Sequence, residues 1–123
     1  PITPFAQSKL VLVIKDRLLN IAVDLRIKSS TFKQHVSENN NNQLFIPRGF
    51  AQGFLVLSDK AIFNYKIDNC NDKDSERGIA FNDSSFGLDW MVKKELLKIS
   101  SKDQNQPLFK NSEYFQDSKK LYE

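Results

Sequence analysis

Gln52 is the side chain in this sequence whose setting first raises a chemical question. It stands in IPRGFAQGFLVLSD, residues 46 to 59. A strand entered after the Pro-Arg-Gly turn puts Phe50, Gln52, Phe54 and Val56 on one face, because side chains alternate with period two. A carboxamide among phenylalanines must find partners for four hydrogen-bonding positions or carry a desolvation cost. Tyr65 repeats the pattern between Phe63 and Ile67, where a phenol brings both apolar area and a hydroxyl to satisfy. Two polar groups on neighbouring inward faces suggest a polar cavity, and periodicity leaves both a ligand-binding β-barrel and a structural one open. Other chemistries lack their residues. The chain has one histidine and one cysteine, too few for a zinc or cupin-type metal set. His35 reads as a surface residue on a strand, and Cys70 as a plain thiol rather than a nucleophile. With only 4 glycines, no Gly-rich phosphate loop or nucleophile elbow is present.

The elements that must position these groups are mostly short strands. KLVLVI at 9 to 14 is a β-favouring run, and LLNIAVDLR at 18 to 26 alternates Leu19, Ile21, Val23 and Leu25 against Asn20, Ala22, Asp24 and Arg26. With Lys15, Asp16 and Arg17 between them, the two read as a hairpin. SSTFKQHV alternates more weakly, and SENNNN reads as a loop. QLFIP is a short strand, FLVLS follows the turn, and AIFNYKID alternates again as the partner of a further hairpin. NCNDKDSERG is polar connection, IAF at 79 to 81 a short strand, and NDSSFGLDW a loop with aromatic anchors. Helix is expected only around MVKKELLK and in the tail from about Ser112. The pattern predicts an all-β sandwich or barrel with a short helical C-terminal part.

Composition sets the outer limits. The 123 residues are enough for one domain with a modest core. Hydrophobic residues at 40% and charged residues at 27% match a globular protein rather than a disordered or membrane one. The net charge of +3 comes from scattered basic residues, which argues against nucleic acid as a partner. No apolar run approaches the ~20 residues of a membrane span, and PITPFAQSKL has no signal-peptide pattern. A lone cysteine suits a reducing compartment, so the expected location is cytoplasmic.

The order of segments carries more than any single residue. QSKLV at 7 to 11, NIAVDLR at 20 to 26, QLFIPRGFAQGFLVLSD at 43 to 59, NYK at 64 to 66, DSERGIAFND at 74 to 83, GLDW at 87 to 90 and SSKDQNQP at 100 to 107 together resemble the dTDP-4-dehydrorhamnose 3,5-epimerase family. The resemblance covers about residues 6 to 108. It implies a cupin-like jelly-roll β-fold, no metal or other cofactor, a homodimer, and a nucleotide-linked 4-keto-6-deoxy sugar as substrate in the dTDP-rhamnose pathway that serves lipopolysaccharide. In that chemistry a His base removes protons beside the C4 ketone, a Tyr returns one from the opposite face, and a Lys holds the enolate oxygen. Carried over by motif, Tyr65 in NYK matches the proton donor and Lys9 in QSKLV the lysine near the enolate. Glu76 in DSERG and Lys102 in SSKD match ligand contacts, and Asp103 matches the carboxylate that orients the catalytic His.

The same resemblance marks departures. The family's R-G-L-H-x-Q motif, which carries the base, belongs ahead of Pro1, so the 123 residues are expected to form a single epimerase-like domain lacking the family's N-terminal segment. Where the family has G-F-A-H-G-F this chain has GFAQGF, which puts Gln52 in place of a substrate-contacting His; glutamine donates and accepts but does not titrate. Asn71 falls where the family stacks an aromatic on thymine, and Phe81 where it has tryptophan. Near HVSENN the family has a few more residues. The epimerase expectation therefore stands beside a non-catalytic sugar-nucleotide-binding or assembly homologue, and beside a purely structural β-domain.

Overall fold

The computed structural model describes residues 1–2, 5–39, 43–112 and 121–122. Among the described residues there are six strands: β1 (Lys9–Lys15), β2 (Leu18–Asp24), β3 (His35–Glu38), β4 (Leu44–Ile46), β5 (Phe50–Val56) and β6 (Ile62–Ile67). They form two antiparallel sheets, ordered β4-β1-β6 and β3-β2-β5.

Neither expected hairpin forms. β1 pairs with β4 and β6, from Lys9↔Ile46 and Lys9↔Ile67 onward, whereas β2 pairs with β3 and, from Leu18↔Val56 to Asp24↔Phe50, with β5. The link at Asp16 and Arg17 turns a corner between sheets, with Asp16 at φ 68°. Arg17 already belongs to the second sheet, since its carbonyl accepts the Leu57 N–H at 3.0 Å. β5 and β6 likewise lie in different sheets. Alternation identifies a strand and its faces but not its partner, and here the neighbours in sequence pack face to face rather than edge to edge.

β2 is buried along its whole length because both of its faces are covered. Leu19, Ile21, Val23 and Leu25 pack outward against Phe86 and Phe109 from the C-terminal segment, with Ile79, Leu88 and Trp90 beside them. Asn20, Ala22 and Asp24 face the other sheet, where Ala22 joins Val11 and Ile46 in a second, smaller core.

The C-terminal segment is largely irregular. IAF at 79 to 81 is not a strand; the Ala80 N–H donates to the Pro107 carbonyl at 2.7 Å, its carbonyl accepts the Asp83 N–H at 3.2 Å in a turn, and Ile79 packs on the core. Around MVKKELLK only a 3₁₀ turn forms, Lys94–Leu96. Met91 sits at φ 64° and Leu96 is exposed, so no apolar stripe is buried to offset helix nucleation. A short helix forms instead at α1 (Ser101–Gln104), where the Ser100 Oγ accepts the Asp103 N–H at 3.2 Å as its N-cap. The helix expected in the tail from Ser112 falls almost wholly outside the described residues.

Candidate active site

Lys9 opens β1 and Tyr65 lies in the middle of β6. Val11 is paired with Tyr65 and Lys9 with Ile67, so Lys9, Val11, Phe63 and Tyr65 share the face turned toward the second sheet. The Lys9 ammonium stands 5.9 Å from the centre of the Tyr65 ring, within cation–π range. The Tyr65 ring stacks beside Phe63 at 6.1 Å, and Phe63 meets Phe54 of β5 at 5.0 Å, which joins the two sheets at their β5 and β6 edges. This edge is open: Tyr65 is 56% exposed and Phe54 51%. Tyr65 therefore belongs to an accessible inner face rather than to a sealed core.

Two charges from outside the sheets act near Lys9. Glu76 follows the 3₁₀ turn Lys73–Ser75, and Lys102 lies in α1. Lys102 Nζ donates to Glu76 Oε2 at 2.7 Å. That bond and the Lys102 charge hold the Glu76 carboxyl below its ordinary value, and Glu76 in return raises Lys102. Both fields act on Lys9. Burial pushes the Lys9 ammonium below its ordinary 10.5; Glu76 opposes that shift and Lys102 adds to it.

Gln52 occupies the facing sheet, half-buried on β5 opposite Ala22. Its Nε2 donates to Asn20 Oδ1 at 3.3 Å. Asn20, only 3% exposed, was not singled out in the sequence. The available signal was its place in the Asn20, Ala22, Asp24 row, but its meaning depends on the β2–β5 register. Two positions beyond Ala22 and on the same face, Asp24 is fully buried and accepts from Arg26 Nε and Nη2, both at 2.9 Å, and from Thr31 Oγ1 at 2.6 Å. The Arg26 guanidinium lies 4.9 Å from the Phe50 ring.

The structure thus brings Lys9, Tyr65, Glu76 and Lys102 into one neighbourhood, with Gln52 on the opposing sheet. Asp103 is exposed on α1 beside Lys102, held by its backbone N–H to Ser100. His35 is exposed on β3, and Cys70 is a free, exposed thiol. Asn71 is exposed, whereas Phe81 packs edge-on against Trp90 at 6.4 Å. A depression lined by Phe81, Asn82, Asp83, Trp90, Lys94 and Leu97 lies in the C-terminal segment and contains none of the six expected site residues. Among the described residues, no helix is long and apolar enough to cross a membrane.

Fold and site together define a two-sheet jelly roll that gathers a cation, a phenol and amides on the open inner face between its sheets. Comparison with known proteins narrows this class. The family model for dTDP-4-dehydrorhamnose 3,5-epimerase matches residues 1–111, and the chain belongs to that family. It is 45% identical to the dTDP-4-dehydrorhamnose 3,5-epimerase of Shigella flexneri over 116 residues, 91% of this chain and 63% of that protein. Among solved structures, the epimerase of Elizabethkingia anophelis superposes with a TM-score of 0.86 at 43% identity, covering 89% of this chain and 62% of that one. The Legionella pneumophila enzyme, in complex with dTDP-4-keto-L-rhamnose, gives 0.81 at 34% identity, covering 95% and 64%. The fold is accordingly the cupin-like jelly roll of these epimerases. The chain spans less than two thirds of the length of the relatives it matches.

Proposed function

We propose that this protein is a nucleotide-sugar 3,5-epimerase acting on a dTDP-4-keto-6-deoxy sugar, without a cofactor. The observation that carries the reading is the Lys9–Tyr65 pair, a half-buried cation beside a phenol on the inner face of β1 and β6, in a chain matched by the epimerase family model. The protons at C3 and C5 are acidic because the C4 ketone takes up the electron pair as an enolate. Lys9 stabilises that developing oxyanion, at which a fixed cation acts more strongly than in water. Tyr65 returns a proton to carbon from the face opposite the base, a step worth typically ~10² to 10⁴-fold.

The base in this proposal is the family's His in R-G-L-H-x-Q, which the resemblance puts ahead of residue 1, with Asp103 orienting it. Lys102 keeps two N–H donors beyond its bond to Glu76 and serves as a point charge for a phosphate. The single domain works as a cytoplasmic homodimer in this proposal. Exposed Ile14, Phe45 and Ile62 on the outer side of the β4-β1-β6 sheet support such an interface.

One observation favours a second reading. Gln52 bonded to Asn20 is an uncharged pair, which suits a sugar-nucleotide-binding homologue that does no proton transfer at that point. The two readings part in D₂O. With the segment that carries the His base included, the epimerase incorporates solvent deuterium at C3 or C5 of a dTDP-4-keto-6-deoxy sugar, followed by NMR; binding by that protein with no exchange at either carbon overturns it in favour of the binding protein.

A further inference from the structure

We propose that Tyr122 is a positioning residue for Lys9: its hydroxyl ties the lead-in of β1 to the lead-in of β5 and so fixes the Lys9 ammonium at the inner face. The inference rests on the reading that Lys9 holds the enolate oxygen.

Lys9 is the first residue of β1, so its ladder holds it from one side and the residue ahead of it must hold it from the other. That residue is Ser8, buried at 4% exposure. Its N–H donates to Asp68 Oδ1 at 2.8 Å, one position past the end of β6. Its Oγ bonds to the Tyr122 hydroxyl at 3.0 Å. The same phenol oxygen accepts the Arg48 N–H at 3.0 Å, and Arg48 stands two positions before β5. One oxygen thus joins the entries of two strands that lie in different sheets.

Arg48 stiffens this junction. Its guanidinium lies 4.9 Å from the centre of the Tyr122 ring, within cation–π range. Its Nη1 donates to the Leu121 carbonyl at 2.7 Å, and its Nε pairs with Asp68 at 3.3 Å. Leu121 is buried and seats against Gly49, where a Cβ would lie 2.9 Å from its Cδ1. Tyr122 itself is exposed, so its bonds rather than its burial tie it in. The Lys9 end of the two sheets is thereby pinned, while the β5 and β6 edges stay open. A misplacement of about 1 Å costs up to about 10²-fold in rate.

The test uses the protein with the His-bearing segment included. Tyr122→Phe lowers kcat for deuterium exchange about tenfold. Affinity for dTDP-D-xylose, which has no 4-ketone and so does not react, stays within about threefold by calorimetry, because the lysine acts on the enolate. Ser8→Ala gives a similar loss, and the double variant is no slower than the slower single one, since both changes break the same bond. In a Lys9→Met background Tyr122→Phe adds no further loss, because it acts through the side chain already removed. Acylation of the Lys9 amine by acetic anhydride across pH gives a reading independent of turnover. Its midpoint, below 10.5 in the wild type, moves up toward 10.5 in Tyr122→Phe as the freed lead-in admits water.

A Tyr122→Phe protein with the wild-type kcat, or one that loses the same factor in the Lys9→Met background, overturns the positioning role. Should Tyr122→Phe fail to fold, a Ser8→Ala protein with full kcat and an unmoved Lys9 midpoint overturns it equally. A wild-type protein that exchanges at neither carbon overturns the epimerase reading itself. The Lys9 midpoint then decides the positioning role alone, an unmoved value in Tyr122→Phe overturning it.

Discussion

At the residue scale the proposed chemistry depends on keeping a lysine charged where it is partly desolvated. Burial lowers the Lys9 ammonium from its ordinary 10.5, and only the protonated form holds an enolate oxygen. Activity is therefore expected to fall on the alkaline side with a midpoint below 10.5. The sign for folding follows from the same shift. The unfolded chain binds the proton more tightly, so this group's cost to stability is present below its folded value and is relieved as pH rises toward 10.5. Lys9→Arg keeps the charge at all accessible pH and is expected to abolish the alkaline fall in kcat, at reduced rate. Lys9→Met is expected to cost about 10²-fold or more in kcat. Measured pH profiles decide it: an alkaline limb unchanged in Lys9→Arg assigns that limb to another group. How much of this was legible differs by residue. Gln52 and Tyr65 could be placed on inward faces from alternation alone, and Lys9, Glu76 and Lys102 came only from motif resemblance, because their convergence joins segments up to 93 positions apart, from Lys9 to Lys102. The bond from Gln52 to Asn20 could not be read in advance, since it exists only once β2 and β5 are in register.

At the scale of elements, strands were readable and their pairing was not. Seven-residue β2 was marked by its alternation, yet its partners are β3 and β5, the latter 26 or more positions on, rather than β1 across a two-residue corner. A hairpin and a sheet-to-sheet corner share the same local pattern, and burial of β2 on both faces decides between them. The corner at the other end of β2 is held by charge. Burial alone would raise the Asp24 carboxyl, but hydrogen bonds from Arg26, Ser29 and Thr31 outweigh it and keep the group far below the usual carboxylate range. A carboxylate with a depressed folded pKa adds stability that is fully present above its unfolded value near ~3.9 and is lost as pH falls toward the folded one. Asp24→Asn leaves Arg26 without its charge partner and is expected to destabilise the protein by about 3 kcal/mol at neutral pH. In urea unfolding the gap between wild type and variant is expected to narrow by on the order of 1 kcal/mol at about pH 3. A gap that stays constant with pH would show that Asp24 stabilises the turn by packing or neutral hydrogen bonding.

At the scale of the molecule, the main core and the proposed chemistry fall on opposite faces of the β3-β2-β5 sheet. Its outward face packs a cluster of six buried residues, Leu19, Ile21, Val23, Leu25, Phe86 and Phe109, whereas the cluster between the sheets has three, Val11, Ala22 and Ile46. The irregular C-terminal segment thus does the work of a third layer. Gly53 permits its close approach, since a Cβ there would lie 2.8 Å from Trp90 Cη2. With the main core outside, the inner face can carry Asn20, Gln52 and Tyr65 and remain open at the β5 and β6 edges. The division predicts opposite behaviour for two phenylalanines. Phe109→Ala removes a ring in contact with Phe86 at 5.2 Å and Phe32 at 6.0 Å, and is expected to cost about 3 kcal/mol or more. At a temperature where the variant is still folded, its affinity for dTDP-D-xylose stays within about twofold of wild type, because the binding face is on the other side of the sheet. Phe63→Leu, on the half-buried inner face, is expected to cost only about 1 kcal/mol and to weaken dTDP-xylose binding through lost contact with Phe54 and Tyr65. Urea unfolding and calorimetry on the same two proteins provide both readouts. If Phe63→Leu destabilises as much as Phe109→Ala and leaves binding untouched, the space between the sheets is a structural core and the ligand lies elsewhere.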